Sequence, residues 1–181
     1  MIGKLVQATI LVTAGLAFSG CTPKTVATKP PPAPDYMAPT PPSPPSAATR
    51  ANCYNDDDLS TLRVRMLQQE MSVATLQCQT PSGGRAFDSQ YTSFLSKYTG
   101  DLSANGRALN DLARRRRLNV DVVVTEFANR TAQKAPVDPQ FCSRSLRALE
   151  WALDSRATTL SAVPPTYDLG PDMNFHPCAP K

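Results

Sequence analysis

The chain has 181 residues, 41% of them hydrophobic and 19% charged, with a formal net charge of +4. That length suits one domain with a single core, and so weak a positive surplus does not argue for nucleic acid. A single histidine, His176 in a proline-rich tail, leaves imidazole-based hydrolytic or metal sites little to draw on.

Met1-Ile2-Gly3-Lys4 is a short positive start, and Leu5 to Phe18 is mostly apolar. A cationic start before an apolar run is the pattern of an export signal. In a helix that run reaches only about 21 Å, at roughly 1.5 Å per residue. A bilayer core takes about 20 residues, so a permanent spanning helix is the poorer reading. The run ends at Leu16-Ala17-Phe18-Ser19-Gly20-Cys21. The small pair Ser19-Gly20 before Cys21 resembles the lipobox of bacterial lipoproteins, over residues 1–21 only. Phe18 stands where that class prefers Leu. The resemblance implies cleavage before Cys21 and a diacylglycerol on its sulfur. With Thr22 rather than Asp next, it also implies sorting to the outer membrane, the domain facing the periplasm. The two or three acyl chains of a lipoprotein meet the need of stable anchoring for more than one chain.

Residues 21–52 read as the lipidated cysteine and a disordered, proline-rich tether. Ten of the eighteen prolines fall between Thr22 and Asn52, with Ala, Ser and Thr in the gaps. Such a segment buries no core, and proline holds it near polyproline II. Fully extended at about 3.1 Å per residue, it reaches on the order of 95 Å. Tyr36-Met37 interrupts it; plain spacing is the simpler reading, docking on a partner the sharper one.

Residues 53–181 are then the folded domain, expected to be all-α. Asn55 caps a first helix whose opening turn holds Asp56-Asp57-Asp58, acids the helix dipole favours. An EF-hand would need alternating ligands and a central glycine, which are missing, so capping outweighs calcium binding. This helix runs to about Cys78 with two apolar stripes. One is Leu59, Leu62, Met66, Val73 and Leu76; the other is Val64, Leu67, Met71, Ala74 and Cys78. Two adjacent stripes mean burial over a wide arc. A second, long helix is expected from Phe87 to the tetra-arginine Arg114–Arg117. Its seam is Phe87, Tyr91, Phe94, Tyr98, Leu102, Asn105, Leu109 and Leu112. Asn105 is the polar exception, suited to fixing register or bonding a neighbouring backbone. Arg114, Arg115, Arg116 and Arg117 suit the helix C-terminus but exceed what capping needs, which makes them the candidate contact for an anionic partner.

Asn119 caps a third helix toward Lys134. Its Val120–Thr125 opening is β-branched enough for a strand, but nothing else in the chain offers a strand to pair with. Asp138-Pro139 starts a fourth helix carrying Cys142, Leu146, Leu149, Leu153 and Leu160. Ser161–Lys181 has five prolines and no periodicity. Four helices with short connections predict an up-down four-helix bundle.

With Cys21 lipidated, Cys53, Cys78, Cys142 and Cys178 remain, an even number in an exported chain. No C-x-x-C occurs, so neither a zinc knuckle nor a thioredoxin-type site is indicated. Cys53 and Cys78 lie at opposite ends of the first helix, about 35 Å apart at roughly 1.5 Å per residue, whereas a disulfide needs Cα atoms within about 7 Å. The bundle instead brings Cys78 beside Cys142 and Cys178 beside Cys53, one staple at each pole.

These features predict a non-enzymatic, lipid-anchored subunit or adaptor of an envelope secretion or export assembly. Its expected partners are the membrane, an envelope protein and a cell-wall polymer. No cofactor or metal is expected. The alternative is a protein that binds or modifies cell wall or lipid in a pocket of the bundle. Its acid–base candidates are Glu70 and Glu126. Glu70 falls in the first apolar stripe, and its expected partner is an arginine of another helix. The body is similar to uncharacterised small helical envelope proteins, a likeness that carries no activity.

Overall fold

The computed structural model describes residues 34–39, 53–169 and 173–178. The chain divides into a unit of residues 1–30 and one of residues 31–181, and every described residue belongs to the second. Cys21, the export signal expected before it, and most of the proline-rich stretch lie outside the described residues.

The described domain is mostly helical and carries two disulfides. In chain order, β1 is Cys53–Tyr54, α1 is Asp56–Gln77 and α2 is Asp88–Lys97. There follow α3 at Thr99–Arg116, α4 at Val120–Lys134 and α5 at Phe141–Leu153. A 3-10 turn spans Leu160–Ala162, and β2 is His176–Pro177. The two short strands pair in parallel, Cys53 opposite His176.

Local chemistry starts α1 and α4 where the caps predict. The Asn55 carboxamide oxygen accepts from the Asp58 amide at 2.8 Å. That of Asn119 accepts from the amides of Asp121 and Val122. The β-branched opening of α4 is helical despite its strand propensity. After α1 the chain turns through Thr80–Gly84, where Gly83 takes φ +84°, a left-handed conformation costly for any residue with a Cβ.

The expected long helix over 87–117 is two helices, a correction with a visible cause. Tyr98 leaves helical geometry at φ −107° and ψ 19°, while its amide still donates to the Phe94 carbonyl. Its hydroxyl donates to the carbonyls of Ala152 and Ala157, at 2.7 and 2.9 Å. Lys97 Nζ donates to the carbonyls of Ala152 and Asp154. The bend thus delivers two side chains to the orphan carbonyls at the end of α5, where a helix has no backbone donors of its own. The seam keeps its phase across the bend, but its two halves face different neighbours.

α5 also differs from its expected bounds. It starts at Phe141, later than Asp138-Pro139 predicts, and ends at Leu153 rather than near Leu160. Asp138 accepts instead from the Gln140 amide, at 2.8 Å.

α1 lies at the centre and contacts the other four helices. Its N-terminal half packs Leu59, Leu62 and Met66 against Leu109, Leu112, Val123 and Phe127 of α3 and α4. Its C-terminal half packs Leu67, Met71 and Ala74, joined by Val64 from the turn before, against Phe94 of α2 and Ala148 and Leu149 of α5. Leu76, read as part of the first stripe, is exposed. Each fully buried leucine contributes on the order of 1.5–3 kcal/mol by area.

Both disulfides join the pairs expected from the order of the helices. Cys53 is bonded to Cys178, with Cα atoms 4.7 Å apart, and Cys78 to Cys142, at 5.7 Å.

Candidate functional site

The densest buried polar cluster is built on Glu70, in the C-terminal half of α1. Its side chain is buried among Leu67, Met71 and Ala74 because it falls on the inward face of the helix. Among the described residues no arginine pairs with it, which corrects the expected inter-helix ion pair. Its carboxylate accepts instead from the backbone amides of Thr166 and Tyr167, at 2.7 and 2.9 Å. Pro164-Pro165 precede these residues and keep the chain extended, so both amides are free to point at one acceptor. Burial pushes the Glu70 carboxyl up to about 8, against the opposing pull of the Tyr167 and Thr166 amides.

Tyr167 continues the cluster. Its ring stacks on Phe141, with centroids 6.2 Å apart, and its hydroxyl donates to Asp138 Oδ2 at 2.7 Å. Arg144 Nε lies 3.3 Å from the same oxygen. Burial pushes the Asp138 carboxyl up, but the bonds from Tyr167 and the Gln140 amide, with Arg144 beside it, hold it below the usual range.

Tyr36 docks on this cluster from within the proline-rich stretch. It is 1% exposed, and its hydroxyl donates to the Pro164 carbonyl at 2.9 Å. The Ala38 amide donates to the Thr166 carbonyl at 2.8 Å. Arg144 Nη1 donates to the carbonyls of Tyr36 and Met37, and Arg147 lies 3.7 Å from Asp35. Burial, with Glu70 and Tyr98 nearby, raises the Tyr36 hydroxyl above its usual range. Plain spacing therefore does not describe residues 34–39. They belong to the folded unit, which reaches beyond the boundary expected at Cys53. The signal in the sequence was an aromatic residue out of place among prolines. Nothing local named its receptor, which is assembled from α5 and the segment after it.

The arginine tract is not one site. Arg115 donates to Asp58 Oδ1 at 2.7 Å. Arg116 donates to the Cys53 carbonyl at 2.8 Å and lies over the Tyr54 ring. Asp58 is buried, so the third of the three first-turn acids ties the start of α1 to the end of α3. Arg114 pairs with Asp111 one turn back and stays largely exposed. Arg117 is the left-handed C-cap of α3 at φ 56° and is exposed.

Asn105 is buried and its Nδ2 donates to the Thr61 carbonyl at 2.9 Å, the backbone bond its seam position predicts. Glu126 pairs with Arg130 at 2.6 Å on the outer face of α4. It is not brought near Glu70, which the α2/α5 side of the core surrounds. Among the described residues, no group of three or more His, Cys, Asp and Glu side chains is placed to hold a metal ion.

Two open grooves flank these features. One, of about 360 Å³, lies between α1 and residues 161–165, with Met37, Arg63, Val64 and Asp168 in its walls. Arg63 and Asp168 pair with each other there at 3.2 Å. The other, of about 260 Å³, is lined by Val122, Glu126, Arg130, Met173 and Phe175, with Val122 63% exposed.

The chain matches no family model, no curated protein and no solved structure.

Proposed function

We propose that this protein is a lipid-anchored, non-enzymatic subunit of a cell-envelope assembly. Acyl chains on Cys21 hold it at the outer membrane, with its domain facing the periplasm. In this reading α2 and α3 together form the second arm of an up-down four-helix bundle. Residues 22–33 and 40–52 are its proline-rich tether.

The observation that supports the reading is the use made of the candidate chemical groups. Glu70 takes two backbone amides, Asp58 takes Arg115 and Arg116, and Glu126 pairs with Arg130. Acid–base work needs a perturbed carboxyl open to a substrate pocket. Glu70 is perturbed but 1% exposed, and Glu126 is exposed and already paired. Contact with an acidic envelope partner falls to Arg114 and Arg117, the two exposed arginines of the tract that do not pair with Asp58; Arg115 is exposed as well but is tied to that carboxylate.

The test is mild crosslinking in intact cells, followed by purification of the tagged full chain from detergent-solubilised envelopes and mass spectrometry. The double variant Arg114→Gln/Arg117→Gln leaves the Asp58 pairs intact. The expected result is a stoichiometric partner that this variant loses, with acyl mass on Cys21 and release from the membrane by Cys21→Ser. Recovery of the protein alone, acylated and with both disulfides formed, would sink the adaptor reading. The groove beside Met37 and Arg63 would then be screened with cell-wall fragments and lipids.

A further inference from the structure

We propose that the groove between α1 and residues 161–165 binds a free α-amino acid with an apolar side chain. Its volume of about 360 Å³ is at the small end of ligand sites and suits a small molecule. Its lining is of two kinds. Met37, Val64 and Pro164 are apolar, and Arg63, Asp168 and Ser60 are polar. The side chains of Arg63 and Asp168 are 43% and 31% exposed, so a ligand in the groove reaches both.

The ion pair in the groove is only half used. Arg63 reaches Asp168 Oδ1 through Nε alone, at 3.2 Å. The same oxygen accepts the Leu169 amide at 2.8 Å, which holds the carboxylate from its own stretch of chain. Among the described residues, Arg63 Nη1 and Nη2, Asp168 Oδ2 and the Ser60 hydroxyl have no hydrogen-bond partner. The Nη1/Nη2 edge of a guanidinium takes a carboxylate through two parallel bonds. Glu70 sets this pair in place. By accepting the amides of Thr166 and Tyr167, it fixes the chain that carries Asp168 opposite Arg63, two turns earlier in α1.

Charge decides the class of ligand. The two charges of the site cancel and stand side by side. A lone carboxylate would be drawn to Arg63 and repelled by Asp168, and a lone amine the reverse. A ligand with both charges on one carbon meets each with its opposite. Its carboxylate takes the Nη1/Nη2 edge, its ammonium goes to Asp168 Oδ2, and its side chain lies on Met37, Val64 and Pro164. The site does not depend on an anchor at Cys21.

The experiment is isothermal titration calorimetry on the full chain in detergent, with L-leucine as the probe. Two further probes, 4-methylpentanoate and isopentylamine, each keep the apolar body and lack one charge. The expected result is saturable binding of leucine at one site, with both single-charge probes at least tenfold weaker. Arg63→Gln and Asp168→Asn should each weaken leucine at least tenfold while the helical circular dichroism is kept, since a half-exposed pair contributes little to stability. Arg63→Lys keeps the charge but not the two-donor edge, and should also lose affinity. Absence of saturable leucine binding would overturn the proposal. So would 4-methylpentanoate binding as tightly as leucine, because the groove would then be a site for anionic acyl chains. Undiminished leucine binding in folded Arg63→Gln and Asp168→Asn would place the ligand elsewhere and overturn it too.

Discussion

The two halves of α1 are held by different chemistry. Around the N-terminal half, charges meet at the edge of the core: Asp58 takes Arg115 and Arg116, and Arg63 takes Asp168. Around the C-terminal half, main-chain groups are satisfied in the interior. Glu70 accepts the amides of Thr166 and Tyr167, and the hydroxyls of Tyr98 and Tyr36 cover the carbonyls of Ala152, Ala157 and Pro164. The cause lies in what each half must accommodate. Each half meets two helices that bring their own apolar faces, but the second also buries two irregular segments, 34–39 and 164–167. Irregular backbone carries polar groups that have to be paired when buried. The C-terminal half therefore contains carboxyl and phenol groups where a helix partner would have supplied leucines.

The largest expected effect tests whether the halves depend equally on their staples. In the chain-entropy model, closing 125 residues with Cys53–Cys178 stabilises by about 4.9 kcal/mol, and closing 64 with Cys78–Cys142 by about 4.3. The double serine variant of either pair should lose about 4 kcal/mol in urea unfolding, with the two losses within about 1 kcal/mol of each other. A far smaller loss at one pole would mean that the half in question is held without its disulfide.

Next comes the pH response, which should belong to the C-terminal half. The folded carboxyl of Glu70 titrates near 8, above its ordinary 4.5, so the folded state binds the proton more tightly. Stability from this group is complete below about 4.5 and is lost as pH rises through 8, at up to about 1.4 kcal/mol per pH unit. Glu70→Gln should flatten the urea midpoint across that window. A slope that persists in the variant would assign it to another group.

Tyr98→Phe isolates the bend. It keeps the ring but removes the hydroxyl from the carbonyls of Ala157 and Ala152, the second of which keeps Lys97. A loss of about 1–3 kcal/mol is expected, with faster amide exchange at the end of α5. The smallest effect should come from Glu126→Gln on α4. An exposed pair one turn apart contributes only about 0.3–0.5 kcal/mol, and 1 M salt should erase even that.

The helix starts at Asn55 and Asn119 were readable from one residue and its next turn, because a cap is a local bond. Helix length also ruled out one of the three disulfide pairings, because α1 is too long for its two flanking cysteines to meet, and the choice between the other two came from the expected bundle. Asn105 was read as a backbone anchor from its place in the seam, and it bonds Thr61. The bend at Tyr98 was not readable. The 3-4 spacing runs through it unbroken, and the carbonyls that draw Tyr98 and Lys97 out of line belong to a helix more than 50 residues later. The partners of Glu70 were hidden for the same reason. An acidic residue in an apolar stripe announces a bond, and side chains are the partners a sequence suggests, whereas every residue carries an amide.

Helix propensity, capping and chain length thus act over one turn or one helix, and the sequence alone determined what they control: a mostly helical body, the starts of α1 and α4, and the exclusion of a Cys53–Cys78 pair. The bend, the buried seat of Glu70 and the docking of Tyr36 were decided only when α5 and residues 164–167 came together. Each satisfies main-chain groups whose orientation does not exist until the chain has folded.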